Sequence, residues 1–522
     1  MQGTKILFAV SEFSPFARTG DLAESAAGLC HALREAGADV RVIMPFYRGI
    51  ETDRREVLGG LPVPVSSKTV FGRVWESASP SGTPVYLLEQ SDYFDRDGLY
   101  NAEDGKPYGD NAERFIFFSR AVIEFIRRGP FRPEIVHAND WFTGLAPVYM
   151  KTLYAADEAI SPIRSVFTIH DIAYQGIFWH HDMHLTGFSW DLFRFDKLEF
   201  FGKLNFMKGG IVFADAVTTV SRNHAEEIRV DRVGCGLEKT LARRGEAFRG
   251  IPSGIDPGQW NPATDGAIAS TYDAASFEGK AACRTALQRL ANLPEDDRPL
   301  LGMIGPFTRR NGFDLAGSIL DRIVERGVRI VAMGEGASEI LDVLRGFARA
   351  RPLEIGLMTS PPKSAIHGAG GREGASVLGG DRMSQNAEGT ACHPGAAPRE
   401  ELLRRLLAGA DLLLAPARFG PGGLEHLRAL RYGVLPVARR VGALLDAVRE
   451  FDVAEGAGNG FLFVEPSAED LLSALDRALA VLRHPEMRHR AIENAMATDV
   501  SWRQPAVEYI DLYKELINKS IP

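Results

Sequence analysis

Two short stretches of the sequence place cations or backbone amides where they suit a phosphate. Arg18-Thr19-Gly20 follows an apolar run and sets a cation on a glycine turn. Gly422-Gly423-Leu424 opens a helical pattern and can turn helix N-terminal amides toward an anion. A carboxylate stands beside each, Asp21 in the first and Glu425 in the second, and both oppose a bound phosphate. Asp21 also suits the N-cap of a helix beginning at Leu22, and one side chain can fill both roles. A further group, Cys392, His393 and the more distant His367, has ligand-type side chains, but its spacing fits no zinc pattern and no metal is expected.

These residues need a frame to hold them. Apolar runs at 6–10, 39–43, 85–88, 135–137, 165–169 and 216–220 alternate with helix-period segments, the grammar of a parallel, doubly wound sheet. Runs at 300–304, 329–333, 412–415, 435–438 and 460–464 repeat it, with an amphipathic segment at 400–408 before the third. Between the two sets, 260–276 is rich in Pro, Asp, Ala and Ser and reads as a linker. Residues 360–398 carry repeated Gly, Ala and Ser without a period and read as a long mobile loop. Ligands of open α/β sheets lie beyond the carboxyl ends of the strands, so two such domains facing each other enclose a cleft. The expected division is an N-terminal domain at 1–262, a C-terminal domain at 277–500 with the 360–398 insertion, and a helix at 503–522 that returns to the first domain.

A chain of 522 residues exceeds the reach of one hydrophobic core, in keeping with two domains. Its 45% apolar and 25% charged residues are the composition of an ordinary soluble globular protein and exclude disorder. A formal charge of -8, with no long basic stretch, argues against nucleic acid as a partner. No apolar run reaches membrane-spanning length, and the run at 5–10 is too short for a signal-peptide core, so no membrane partner is expected. Cys30, Cys235, Cys283 and Cys392 are scattered and read as free thiols of a reducing compartment, the cytoplasm.

Six long segments carry a resemblance. KILFAVSEFSPFARTGDLAE, VHANDWFTGLAP, FTIHDIAYQGIF, NFMKGGIVFADAVTTVS, GLEKTLARRGEAFRGIPSGID with WNPATD, and RFGPGGLEHLRALRYGVLPV stand in the order of their counterparts in bacterial glycogen synthases and starch synthases. The chain resembles that family from about Lys5 to Tyr513, interrupted chiefly at 360–398. The resemblance implies an α/β protein of GT-B fold, two Rossmann-like domains facing each other across a cleft. It also implies retaining transfer of glucose from ADP-glucose to the non-reducing end of an α-1,4-glucan, with no metal and no cofactor. Negative charge gathers on the departing ADP, so a competent site surrounds the diphosphate with cations and amides.

Residue by residue, the resemblance assigns Arg18 (in place of a lysine), Thr19, Gly20, Ser253, Gly334, Gly422, Gly423 and Leu424 to the nucleotide-sugar side. His170 and Asp140 match retained catalytic positions, and Trp141, Tyr174 and Gln175 fall on the acceptor side. Other positions depart from the pattern. Asp21 replaces a loop glycine, Phe142 a histidine and Ser253 an asparagine, while Val441 and Ala443 replace a threonine and a glycine. Pro306 and Asn311 stand where the family sets an arginine and a lysine on the sugar diphosphate, with Arg309 and Arg310 as nearby substitutes. Gly420 stands where a glutamate lies beside the donor sugar. The departures share one direction, less positive charge around a diphosphate. The expectation is therefore a catalytically impaired or inactive homologue that binds α-glucan (glycogen or maltooligosaccharide), with ADP-glucose binding weak or absent. Such a copy is kept for glucan binding or for regulation beside an active synthase. The alternative is an active glucosyltransferase with a rearranged donor site.

Overall fold

A computed structural model describes residues 3–103, 105–230, 233–358, 397–420 and 422–519. The first half contributes β1 Lys5–Ala9, β2 Asp39–Pro45, β3 Arg55–Val65, β4 Lys68–Ala78, β5 Pro84–Glu89, β6 Ile135–Asn139, β7 Arg164–Ile169, β8 Ile177–Phe178, β9 Glu199–Phe200, β10 Lys203–Asn205, β11 Ala216–Thr219 and β12 Phe248–Gly250. The second contributes β13 Leu300–Ile304, β14 Arg329–Met333, β15 Ile355–Met358, β16 Leu412–Ala415, β17 Leu435–Arg439 and β18 Phe461–Phe463. A nine-stranded sheet runs β12-β11-β7-β6-β1-β2-β5-β4-β3, and a six-stranded sheet runs β15-β14-β13-β16-β17-β18. The inner strands are near-continuous buried apolar runs, as parallel strands covered on both faces must be.

The first sheet is not wholly parallel. β3 and β4 pair antiparallel with each other, and β4 pairs antiparallel with β5, forming a ribbon at one edge that the apolar runs do not reveal. β3 alternates buried Leu61, Val63 and Val65 with Pro62 and Pro64, and proline is tolerated there because β3 is an edge strand. β12 and β15 likewise lie outside the apolar runs. A third, small antiparallel sheet, β8-β10-β9, projects from the first half.

Two main cores result. One joins residues from Ile6 to Ile251 with the helix Arg503–Asn518, through Trp502, Tyr509, Tyr513 and Leu516. The other runs from Ile255 to Val500. Residues 260–276 are not a free linker, which corrects the reading from composition. Trp260 is buried between two guanidinium groups, Arg404 at 4.2 Å and Arg428 at 4.5 Å from its ring centre, and Tyr272 donates its hydroxyl to the Tyr432 carbonyl at 2.9 Å. Stacked cations and a buried indole outweigh a polar composition. The mobile loop expected at 360–398, with His367, Cys392 and His393, lies outside the described residues up to 396, and a helix begins at Ala397 and runs to Gly409. No helix among the described residues is long and apolar enough to cross a membrane.

Candidate functional site

A cavity of about 600 Å³ lies between segments that follow β1, β7, β11 and β12 and segments that follow β16 and β17. His170, Ser253 and Asp21 line it from one side, and Gly422, Gly423 and Leu424 from the other. The sequence therefore brings the two glycine-bearing loops together across one cleft.

Asp140 follows β6 directly, in the left-handed region at φ +51°, and its carboxylate reaches the end of β7. Its Oδ1 accepts the His170 backbone N–H at 2.8 Å. Burial pushes the Asp140 carboxyl well above the usual carboxylate range, against the pull of that bond. The His170 ring has its Nε2 3.0 Å from Asn139 Oδ1, and burial lowers it to about 4, so the imidazole is neutral at neutral pH. Asp140 thus fixes the loop that carries His170, and a neutral ring that lines the cavity suits contact with a sugar.

The phosphate-side groups are committed within the chain. Thr19 donates its hydroxyl to Glu12 Oε1 at 2.6 Å and its backbone N–H to Glu12 Oε2, so neither donor points to a ligand. Arg18 pairs with Glu24 and lies 3.6 Å from Glu400. Gly20, not Asp21, is the N-cap of the helix Asp21–Glu35, which corrects the capping reading. The Asp21 carboxylate instead crosses the cleft and accepts the Leu424 N–H at 3.3 Å, an amide the resemblance assigns to the donor. A Cβ on Gly423 would stand 2.7 Å from that carboxylate, so glycine there admits Asp21. Ser253 lines the cavity, with its N–H donated to the Val220 carbonyl at 3.2 Å.

Beside this contact lies a charge cluster that sequence reasoning missed. The Arg428 side chain is fully buried and pairs with Glu24, with Glu425 at 3.6 Å and with Asp21 at 3.8 Å. Burial, then the Asp21 charge, push Glu425 up to about 7, with Arg428 opposing. His426 next to it is buried, lowered to about 4, and lines the cavity. The helical pattern of the segment marks Arg428 as an inward position, and a charged residue at such a position is the signal that was available.

In the 305–312 loop, Asn311 donates its side-chain amide to the Pro306 carbonyl at 3.0 Å and braces the turn. Arg309 is largely exposed, 4.0 Å from Glu339. Arg310 crosses to the first half, where both terminal nitrogens meet the Asp171 carboxylate, at 2.6 and 2.7 Å. Gly420 has φ +119°, and a Cβ there would stand 2.7 Å from Arg310 Nη2. Gly334, φ +138°, lets its loop touch Gly305, whose backbone a Cβ would approach to 2.9 Å.

The residues that the resemblance assigns to the acceptor side are mostly buried. Gln175 is buried, donating its amide to the carbonyls of Ile172 and Cys235 at 3.0 Å and accepting from Asn205 at 2.7 Å. Trp141 is 8% exposed and packed among Phe142, Phe115 and Phe178, at ring separations of 4.1, 4.9 and 5.5 Å. Both are held in place by these neighbours. Tyr174 stays half-buried beneath Arg310, 6.0 Å from its ring centre.

Comparison with known proteins fits this geometry. The model of the starch synthase catalytic domain matches residues 5–243, and that of glycosyl transferases group 1 matches 382–498. The chain is 38% identical to a glycogen synthase of Syntrophotalea carbinolica over 98% of its length and 99% of the relative's. It is equally similar, 38%, to glycogen synthase 2 of Geobacter sulfurreducens over 98% of each. The catalytic domain of starch synthase IV from Arabidopsis thaliana, solved with ADP and acarbose, superposes with a TM-score of 0.85 at 27% identity, covering 99% of this chain and 100% of that one. With two Rossmann-like sheets in the GT-B arrangement and full-length similarity to these enzymes, the chain belongs to the glycogen synthase and starch synthase family.

Proposed function

We propose that this chain binds α-1,4-glucan, as glycogen or maltooligosaccharide, and is strongly impaired in the family's glucosyl transfer from ADP-glucose. The observation that carries the reading is the Asp21 carboxylate on the Leu424 N–H. A diphosphate bound there must first displace a carboxylate, then meet Glu425. Arg18 and Arg428 are already held by Glu24, and Arg310 by Asp171. Removing one transition-state donor costs about a hundred- to a thousandfold, so several lost together place the chain orders of magnitude below an ordinary synthase. Retention for glucan binding or for regulation beside an active synthase, in the cytoplasm, completes the proposal.

A second reading has its own support. Arg310 lies against Gly420, so a donor that displaced Asp171 would meet a guanidinium in the cleft, the rearranged site of an active transferase. Transfer of labelled glucose from ADP-glucose to glycogen separates the two. Turnover at least a thousandfold below an ordinary enzyme's roughly 1–1,000 per second supports impairment. Turnover inside that range overturns it in favour of the second reading.

A further inference from the structure

Two carboxylates from opposite halves of the chain meet at Gly423. A Cβ built on that glycine would clash with both Asp21 Oδ2 and Glu425 Oε2, so the two oxygens face one point. Asp21, Gly423 and Leu424 line the cavity, and Glu425 next to them is half-buried. The two acids have different settings. Asp21 accepts the Leu424 N–H at 3.3 Å and stands 3.8 Å from the Arg428 guanidinium, contacts that a carboxylate makes. Glu425 holds a proton more readily, since burial and then the Asp21 charge push it up to about 7. A carboxylic acid beside a carboxylate is the pairing that divides the work of glycoside hydrolysis.

His426 adds an independent observation. It is 2% exposed and lines the same cavity, yet its Nε2 has no hydrogen-bond partner among the described residues. A ring N–H faces the Gly423 and Ala443 carbonyls, and burial keeps the imidazole neutral at neutral pH, which leaves Nε2 as an acceptor. A buried acceptor without a partner beside a cavity is a place for a sugar hydroxyl. His170, also neutral, lines the cavity with it.

The leaving group decides what such a site cleaves. A departing diphosphate carries negative charge and is opposed by both carboxylates, whereas a glycosidic oxygen departs as an alkoxide and needs a proton. Glu425 meets the second need. Retaining pairs stand about 5–5.5 Å apart, and inverting pairs about 6.5–9.5 Å apart with room for a water between them. Two oxygens crowded onto one glycine fit the shorter spacing.

We infer that the cleft hydrolyses bound α-1,4-glucan with retention of configuration, Asp21 acting as nucleophile and Glu425 as general acid and base. The inference rests on the glucan reading above. In the first step an Asp21 oxygen bonds to C1 of one sugar, the C1–O4 bond to the next sugar breaks, and the Glu425 proton passes to the departing O4. In the second, water adds to C1, one of its protons returns to Glu425, and the bond between C1 and Asp21 breaks, which frees an α-anomeric reducing end and restores the carboxylate.

The test incubates the full-length protein with maltoheptaose and follows new reducing ends, while calorimetry reads binding. Reducing ends should form above the blank, first as the α-anomer by proton NMR, and the rate should fall above pH 7 as Glu425 loses its proton. The charged groups facing Glu425 are Asp21 and Glu24 from the helix Asp21–Glu35 and Arg428 from its own helix, with Arg18 on the far side of Glu24. Glu425→Gln and Asp21→Gly should each lower the rate about a hundredfold or more. Azide should restore cleavage to Asp21→Gly with formation of a β-glycosyl azide, a rescue that a merely structural Asp21 does not give. Maltoheptaose bound without new reducing ends overturns the hydrolytic pair and leaves the glucan reading standing, whereas a protein that binds no maltoheptaose overturns both. Hydrolysis that survives both substitutions, or that keeps rising above pH 7, also overturns the inference.

Discussion

The guanidinium of Arg310 grips the carboxylate of Asp171 at 2.6 and 2.7 Å, joining the loop after β13 to the loop after β7. Two further contacts work in the same direction: Glu227 accepts the Gly442 N–H at 2.9 Å, and Asp446 accepts the Arg222 N–H at 2.9 Å. The cleft is closed by charges that the chain itself supplies. A planar fork on a carboxylate is directional, so the pair fixes orientation as well as proximity.

Removing Asp171 should therefore separate two effects. Asp171→Asn is expected to cost about 1–3 kcal/mol, below the range for a fully buried pair because both side chains keep some solvent. It should also free Arg310 for an anion and strengthen ADP binding about tenfold. Chemical denaturation measures the first and calorimetry the second. A variant that loses stability but gains no ADP affinity assigns the pair to structure alone.

Asp21 makes a parallel case at the other loop. Asp21→Gly removes the carboxylate from the Leu424 N–H and lifts one negative charge from beside Glu425. Affinity for ADP should rise, more at low salt than at high salt, because the gain is electrostatic. Equal affinity of variant and parent across salt concentrations would contradict the reading of Asp21 as an occupant of the donor's place.

Restoring the family's charged residues is constrained by the backbone. Pro306→Arg with Asn311→Lys should raise transfer, and Pro306→Ala serves as the control for the regained backbone N–H. Gly420→Glu alone should destabilise by about 1–3 kcal/mol, since φ is +119° and the new Cβ would meet Arg310. Shortening Arg310 to Ala in the same chain should recover part of that loss, the part due to crowding. A double-mutant cycle on melting free energies reads the coupling, and purely additive effects would remove Arg310 from the explanation.

Glu425 gives a prediction in pH. Its carboxyl rises from an ordinary 4.5 to about 7 in the folded chain, so between those values the folded state holds the extra proton. Stability from this group is thus highest below 4.5 and is lost as pH rises toward 7. His426, lowered from 6.5 to about 4, has the opposite slope, as does His170. The difference between Glu425→Gln and the parent isolates the glutamate, and it should favour the variant increasingly from pH 4.5 to 7. A flat difference would mean that Arg428 keeps Glu425 ionised throughout.

What could be read in the sequence was whatever has a period or a fixed neighbour. Most of the parallel strands, though not β12 or β15, read as apolar runs, Arg18 and Leu424 follow from their glycine turns, and His170 follows from the resemblance. The β3–β4 ribbon is not legible, because Gly59, Gly60, Pro62 and Pro64 hide its alternation. Trp260 looked like linker because its partners, Arg404 and Arg428, lie more than a hundred residues away. The same distance concealed the site's chief feature. Nothing in the local sequence pairs Arg310 with Asp171 or aims Asp21 at Leu424. The burial of Trp141 and Gln175 is equally illegible, since matching a motif says which residue stands there and not whether its surface is open.

The central claim is that the donor's anion site is filled by the chain's own carboxylates while the glucan side still binds. Isothermal titration of the unmodified protein with ADP-glucose, ADP and maltoheptaose tests it most directly. The account predicts measurable heat and millimolar-range affinity, of order 4 kcal/mol, for maltoheptaose, with none resolved for either nucleotide. Micromolar binding of ADP-glucose that ADP competes away, about 8 kcal/mol, would contradict it.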